Sequence, residues 1–139
     1  MFQKILLAVD GSPHSDKAAD YAANLAAAFE AALFVAHAYP QTSDLLGYDD
    51  FERLVSRRKS AGQRVLDRVR QRLEDRGVSP QEDLLEGPEA EAILAAADAH
   101  KADLVVMGTR GLGTIEGMLF GSISRKVSQH AHCPVLLIR

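Results

Sequence analysis

The chain has 139 residues, 47% of them hydrophobic and 25% charged, with a formal net charge of -3. That composition is ordinary for a globular protein and excludes a disordered chain, and the length suits a single domain over residues 1–139 with a core of its own. Basic residues are scattered rather than clustered, which excludes the broad positive footprint of a nucleic-acid binder, so any anion site has to be local.

The first apolar run lies between Lys4 and Asp10 and is too short for a signal peptide or a membrane span, so no membrane association and a cytoplasmic location are expected. Ile5 to Val9 read as a strand buried on both faces, as in a parallel sheet. Asp10 ends it, and Gly11-Ser12-Pro13 supplies a turn, an N-cap at Ser12 and a proline at the first helical position. The helix that follows places Ala18, Tyr21, Ala22, Leu25 and Phe29 on one expected core-facing stripe.

Ala32 to Ala36 form a second apolar strand, followed by His37, Ala38, Tyr39 and Pro40. After a polar, turn-rich stretch, Phe51, Leu54, Val55, Val65, Leu66, Val69 and Leu73 recur at helical spacing to about Arg76, with alternating charges on a face expected to be solvated. Gly77 is the expected C-cap. Residues 81–86, QEDLLE, give a weak strand signal suited to a sheet edge. Gly87-Pro88-Glu89 opens a third helix, Asp103 to Met107 form the next strand, and Pro134 to Ile138 form the last, after a fourth helix.

The order β-α-β-α-β-α-β-α-β predicts an α/β fold, a single doubly wound five-stranded parallel sheet with helices on both faces. In such sheets ligands sit beyond the carboxyl ends of the strands where strand order reverses, and Asp10, His37-Ala38 and Gly108 all follow strand ends. The segment from Gly108 to Ser122, GTRGLGTIEGMLFGS, holds five of the ten glycines. Strand, glycine-rich loop and helix N-terminus in that order favour an anion, because exposed N–H groups and the helix dipole both attract it.

Three glycine signatures compete for that segment. The lysine-dependent P-loop fails because Thr114 stands where its lysine belongs, and the dinucleotide pattern fits only loosely and too near the C-terminus. Gly108-x-x-Gly111, nine residues, then Gly121-Ser122 fits G-x2-G-x9-G-[ST] without adjustment. This pattern resembles the nucleotide-binding signature of the universal stress protein family. The resemblance extends through KILLAVDGS, AHAYP, GPEAEAIL, DLVVMGTRG, LFGSISRKV and CPVLLIR, in order along nearly the whole chain.

The resemblance implies a Rossmann-like homodimer of the adenine nucleotide alpha hydrolase type that binds ATP and acts in stress response. It implies that Asp10 contacts the adenine-ribose part, that Ala38 helps form the adenine wall, and that Gly108, Gly111, Gly121 and Ser122 surround the phosphates. Mg²⁺ or Mn²⁺ would accompany ATP, held mainly by phosphates and waters. Asp10 also suits a turn residue capping the first helix, and Ser122 an N-cap of the fourth.

Arg110 in the loop reads as solvated or as a phosphate contact. His14 and His37 read as structural, and His130-x-His132 as favoured by a helix C-terminus, so no protein metal site is assigned. Cys133, the single cysteine, reads as packing. Glu116 is the one loop carboxylate to consider for catalysis, and with no P-loop lysine the expectation is slow hydrolysis or none. The rival readings are a genuine ATPase or nucleotide-dependent transferase, and an interaction protein that does not use nucleotide. Val135 to Ile138, an apolar strand at a sheet edge, is expected in a two-fold interface, and an unidentified protein partner fits a regulatory role. Leu112, Ile115, Met118, Leu119 and Phe120 make the middle of the loop too apolar to stand free.

Overall fold

Five short strands, four of them rich in Val, Leu, Ile and Ala, alternate with four helices in a computed structural model that describes residues 1–43, 47–110 and 120–139. The elements are β1 Lys4–Ala8, α1 Pro13–Phe29, β2 Ala32–Tyr39, α2 Tyr48–Glu74, β3 Gln81–Glu86, α3 Glu89–Ala99, β4 Leu104–Gly108, α4 Ser122–His130 and β5 Val135–Ile138. All strand pairs are parallel, in the order β3-β2-β1-β4-β5. The doubly wound fold expected from the element order is therefore the fold observed, with QEDLLE at one edge and β5 at the other. Among the described residues no helix is long and apolar enough to cross a membrane.

Alternate residues of the central strands point to opposite faces, and each face has its own core. Ile5, Leu7, Leu33, Val35, Leu104 and Val106 pack under α1 and α2. Leu6, Ala8, Phe34, Ala36, Val105 and Met107 pack under α3 and α4. Cys133 lies beside the second core, where burial pushes its thiol pKa up and away from reactivity.

The first helix starts as its sequence dictates. Ser12 is the N-cap, its Oγ accepting the Ser15 N–H at 3.2 Å, and Pro13 follows it into the first turn. Its buried face, however, is Ser15, Ala18, Ala19, Ala22, Ala23 and Ala26, whereas Tyr21 and Phe29 are 46% and 39% exposed. The expected stripe thus holds at Ala18 and Ala22, with Leu25 packed against the core, and is corrected at Tyr21 and Phe29. Alanines let the helix lie close to the sheet, which leaves the aromatic rings no room beneath it, and Phe29 packs edge-on to Phe2 instead.

Close approach also explains Gly108. A Cβ there would lie 2.8 Å from the His14 Cβ and 3.0 Å from its carbonyl carbon, so β4 can carry no side chain where α1 begins. Two smaller differences concern caps: Pro88 is the N-cap of α3 rather than its first helical residue, and α2 is capped by Asp75, with Gly77 turning the chain two residues later at φ +82°.

The charged face of α2, expected to be merely solvated, ties the helix to its neighbours. Arg68 pairs with Asp16 at 3.0 Å, and Arg70 with Glu82 of β3 at 2.6 Å. Arg72 grips Asp20 with two bonds of 2.7 and 2.8 Å, while Arg76 meets the same carboxylate at 3.1 Å. The hydrogen bond from Arg72, reinforced by the charges of Arg72 and Arg76, holds the Asp20 carboxyl below its usual pKa against the opposing effect of burial.

Two outcomes follow from this packing. Because the folded-state pKa of Asp20 is lowered, its contribution is complete above the unfolded value of about 3.9 and is lost as pH falls through the lowered folded value. Asp20→Asn should cost about 0.5–1 kcal/mol at pH 7 in urea unfolding, and the gap from wild type should close as pH is taken below about 4. Gly108→Ala should cost about 1–3 kcal/mol in the same measurement, since α1 must move to admit the methyl group.

Candidate functional site

Strand order reverses at β1: β2 lies on one side of it and β4 on the other. Above the carboxyl ends of these three strands is a cavity of about 650 Å³, within the range of small-molecule sites. Asp10, Ala38, Gly108, Gly121 and Ser122 all border it, so five of the six residues singled out in the sequence come together there. Gly111 and positions 112–119 lie outside the described residues, and with them Glu116 and most of the apolar loop residues. Phe120, the last of these, is 36% exposed.

Asp10 sits at the centre of the rim because the chain leaves β1 there and turns into α1. Its Oδ1 accepts the Ser12 N–H at 2.9 Å, and its own N–H points to Ser15 Oγ at 3.4 Å. Gly11 makes the turn with φ +86°, a conformation that costs glycine little. The turn-capping role considered for Asp10 is therefore observed, and the same residue borders the cavity.

The β4 side is organised by Thr109. Its N–H donates to the Ile138 carbonyl at 2.8 Å, and its carbonyl accepts both the Gly121 N–H at 2.6 Å and the Ser124 hydroxyl at 2.7 Å. Both ends of the 110–120 segment are thus tied to one peptide. Gly121, not Ser122, is the N-cap of α4, which corrects the capping alternative for Ser122. Gly121 has ordinary extended dihedrals (φ -72°, ψ 164°) and no side chain of its own to cap the helix, and the Ser124 hydroxyl also donates to the Gly121 carbonyl at 3.1 Å. Ser122 is the exposed first residue of that turn. The N-terminus of α4, whose N-cap is a glycine, opens on the cavity. Arg110, half-buried, borders it too.

The β2 side is apolar, with Ala38, Pro40, Ala61 and Val65 among its residues. His37 also borders it, its Nδ1 2.7 Å from the Val9 carbonyl oxygen. Arg58 fastens α2 to the chain beyond β2: its Nη1 donates to the carbonyls of Pro40 at 3.2 Å and Gln41 at 2.7 Å and to Thr42 Oγ1 at 3.1 Å. Gly62 lets α2 lie against the sheet, since a Cβ there would stand 2.8 Å from Leu84 Cδ1 and 3.2 Å from His37 Cδ2.

Sequence reasoning passed over Arg58, Gly62, Thr109 and Ser124. An isolated glycine inside a helical pattern is a recognisable sign of close packing, so Gly62 was open to detection. Arg58, one of several arginines on its helix, carried no such sign. Among the described residues no group of three or more His, Cys, Asp or Glu side chains is placed to hold a metal ion. His130 and His132 are exposed at the end of α4.

Comparison with known proteins agrees with this fold. The sequence matches the universal stress protein family over residues 1–139. A universal stress protein of Thermus aquaticus is 48% identical over 143 residues, covering 100% of both chains. The crystal structure of a universal stress protein in complex with cAMP is 30% identical with a TM-score of 0.76, covering 99% of this chain and 97% of the other. A universal stress protein from Archaeoglobus fulgidus, solved in complex with dAMP, has a TM-score of 0.73 at 24% identity, covering 99% of this chain and 98% of the other. The chain belongs to the universal stress protein family.

Proposed function

We propose that this protein binds ATP in the cavity at the carboxyl ends of β1, β2 and β4, and that occupancy of the site is a regulatory signal in stress response. The observation that carries this reading is the glycine-capped N-terminus of α4 opening on a cavity whose far wall is largely apolar. Phosphates suit the first element and a planar base the second. The 30% identical relative bound to cAMP supports an adenine nucleotide as the ligand class.

In this reading, N–H groups at Gly121-Ser122 and the Ser122 hydroxyl receive phosphate oxygens, with Gly108 and Gly111 allowing close backbone approach. Asp10 faces the adenine-ribose part and Ala38 lies against the base. Mg²⁺ or Mn²⁺ is held by phosphates and waters. The site offers no lysine or dedicated metal-binding acid among its described residues, so hydrolysis is slow. The protein acts in the cytoplasm as one domain, and β5, whose outer edge has no neighbouring strand in this sheet, pairs two copies about a two-fold axis.

Titration of purified protein with ATP should give saturable binding, with turnover well below about 1 s⁻¹. Gly121→Val should weaken ATP binding at least about tenfold by filling the phosphate approach, roughly the loss of one charge-assisted contact. It should do so without backbone strain, since φ at this position is ordinary. Unchanged affinity in a folded Gly121→Val protein refutes the phosphate assignment. Mass in solution at micromolar concentration should be that of a dimer, and a monomer unaffected by nucleotide refutes the β5 pairing.

A further inference from the structure

We infer that helix α2 carries an arginine rim, Arg57 and Arg64, whose field draws polyphosphate ligands to the mouth of the cavity and favours the more highly charged nucleotide. The inference rests on the nucleotide reading above and adds to it residues that act on the ligand without touching it. Its starting point is a mismatch between the chain and one helix. The chain as a whole has a formal net charge of -3, whereas α2 holds eight Arg and Lys residues against five Asp and Glu.

Most of these cations are spent. Arg53 pairs with Asp50, Arg70 with Asp67 and Glu82, and Arg72 with Asp20. Arg58 is held by three oxygens of residues 40–42, and Arg68 is shared between Asp16 and the Gly11 carbonyl. Arg57 and Arg64 differ: both are exposed, and neither has a hydrogen bond or ion pair among the described residues. Lys59 is equally free, but helical spacing sets it in line with Arg70, on the flank that faces β3.

The same spacing brings the two arginines to the mouth. Arg58, Ala61, Gly62 and Val65 of α2 border the cavity. Arg57 is four residues before Ala61 and Arg64 three residues after it, so the three share one ridge, which continues four residues later at Arg68. Arg68 marks where that ridge lies, since its Nη2 reaches the Gly11 carbonyl at 3.0 Å, in the turn beside Asp10. The charged side chains bordering the cavity are Asp10, Arg58, Glu89 and Arg110, two of each sign, and Asp16 offsets Arg68. The acids of α2 without an ion pair among the described residues, Asp49, Glu52 and Glu74, are each more than two turns from Ala61. The charge left over on the ridge is that of Arg57 and Arg64.

An exposed charge acts over a Debye length, about 30 Å at 0.01 M salt and about 8 Å at 0.15 M. A polyphosphate entering the cavity therefore feels both guanidiniums without contact, and in proportion to its own charge.

Calorimetric titration with ATP and AMP at both salt concentrations tests this. The proteins are wild type, Arg57→Gln/Arg64→Gln, and Lys4→Gln/Lys101→Gln, which makes the same change in net charge at the amino end of the sheet, where Lys4 and Lys101 are exposed. At 0.01 M the arginine variant should bind ATP about fivefold more weakly than wild type and AMP at most about twofold more weakly, and at 0.15 M its ATP affinity should return to within about twofold. The lysine variant should match wild type throughout. An arginine variant equal to wild type for ATP at 0.01 M, or an equal loss in the lysine variant, overturns the inference. A loss that persists undiminished at 0.15 M shows direct contact instead of a field and overturns it as well. Failure of the wild type to bind either nucleotide instead overturns the nucleotide reading itself.

Discussion

The reversal of strand order at β1 is the constraint on which the site depends. A parallel sheet that adds β2 on one side of its first strand and β4 on the other sends its helices to opposite faces, and among the described residues a cavity is left where the connections part. β1 is buried along almost its whole length, so that space lies over the most rigidly held part of the sheet. Asp10, the second residue beyond β1 and the first that is not buried, borders that space. Its carboxylate closes the turn into α1 through the Ser12 N–H, so the geometry of the rim and the start of the helix are one structure.

One carbonyl sets the other half of the rim. Thr109 is buried and spends both lone pairs of its oxygen, on the Gly121 N–H and on the Ser124 hydroxyl. Its N–H is spent on the Ile138 carbonyl of β5. The start of the glycine-rich segment, the start of α4 and the edge strand are therefore fixed to the same residue, through the two peptide units that flank it. The glycines of that segment consequently do different things. Gly108 is small because α1 crosses it at His14, whereas Gly121 is the cap of a helix whose first N–H groups face outward. Spacing alone treats them as equivalent members of one motif.

How far the sequence reveals the structure follows from the range of the forces involved. Apolar runs and cap residues are local, and from them the nine elements, the edge position of QEDLLE and the cap at Ser12 are all legible. The face of α1 is not. In a helix this rich in alanine, the depth of burial is set by how closely helix and sheet approach, and Tyr21 and Phe29 are excluded by a distance that periodicity does not encode. Partners remote in sequence are likewise hidden: nothing near Gly108 announces His14, and nothing near Arg58 announces three oxygens at residues 40–42. For the site, strand-end positions bring Asp10, Ala38 and Gly108 together, while the wall contributed by α2 emerges only from packing.

That wall joins the surface charges to the cavity. Helix α2 is held at two points flanking it: Arg58 on the chain beyond β2, and Arg68 on the Gly11 carbonyl and Asp16 at the turn after β1. Between these points Gly62 and Val65 border the cavity, and a Cβ on Gly11 would only reach ordinary contact, 3.4 Å, with Val65 Cγ2. The width of the β2 end of the cavity is thus fixed by ion pairs and hydrogen bonds at the surface as much as by the core beneath. Exposed ion pairs are individually weak and screened by salt, and what they contribute here is placement of a helix rather than stability of the fold. A ligand lying against that helix adds its own binding energy to the same arrangement.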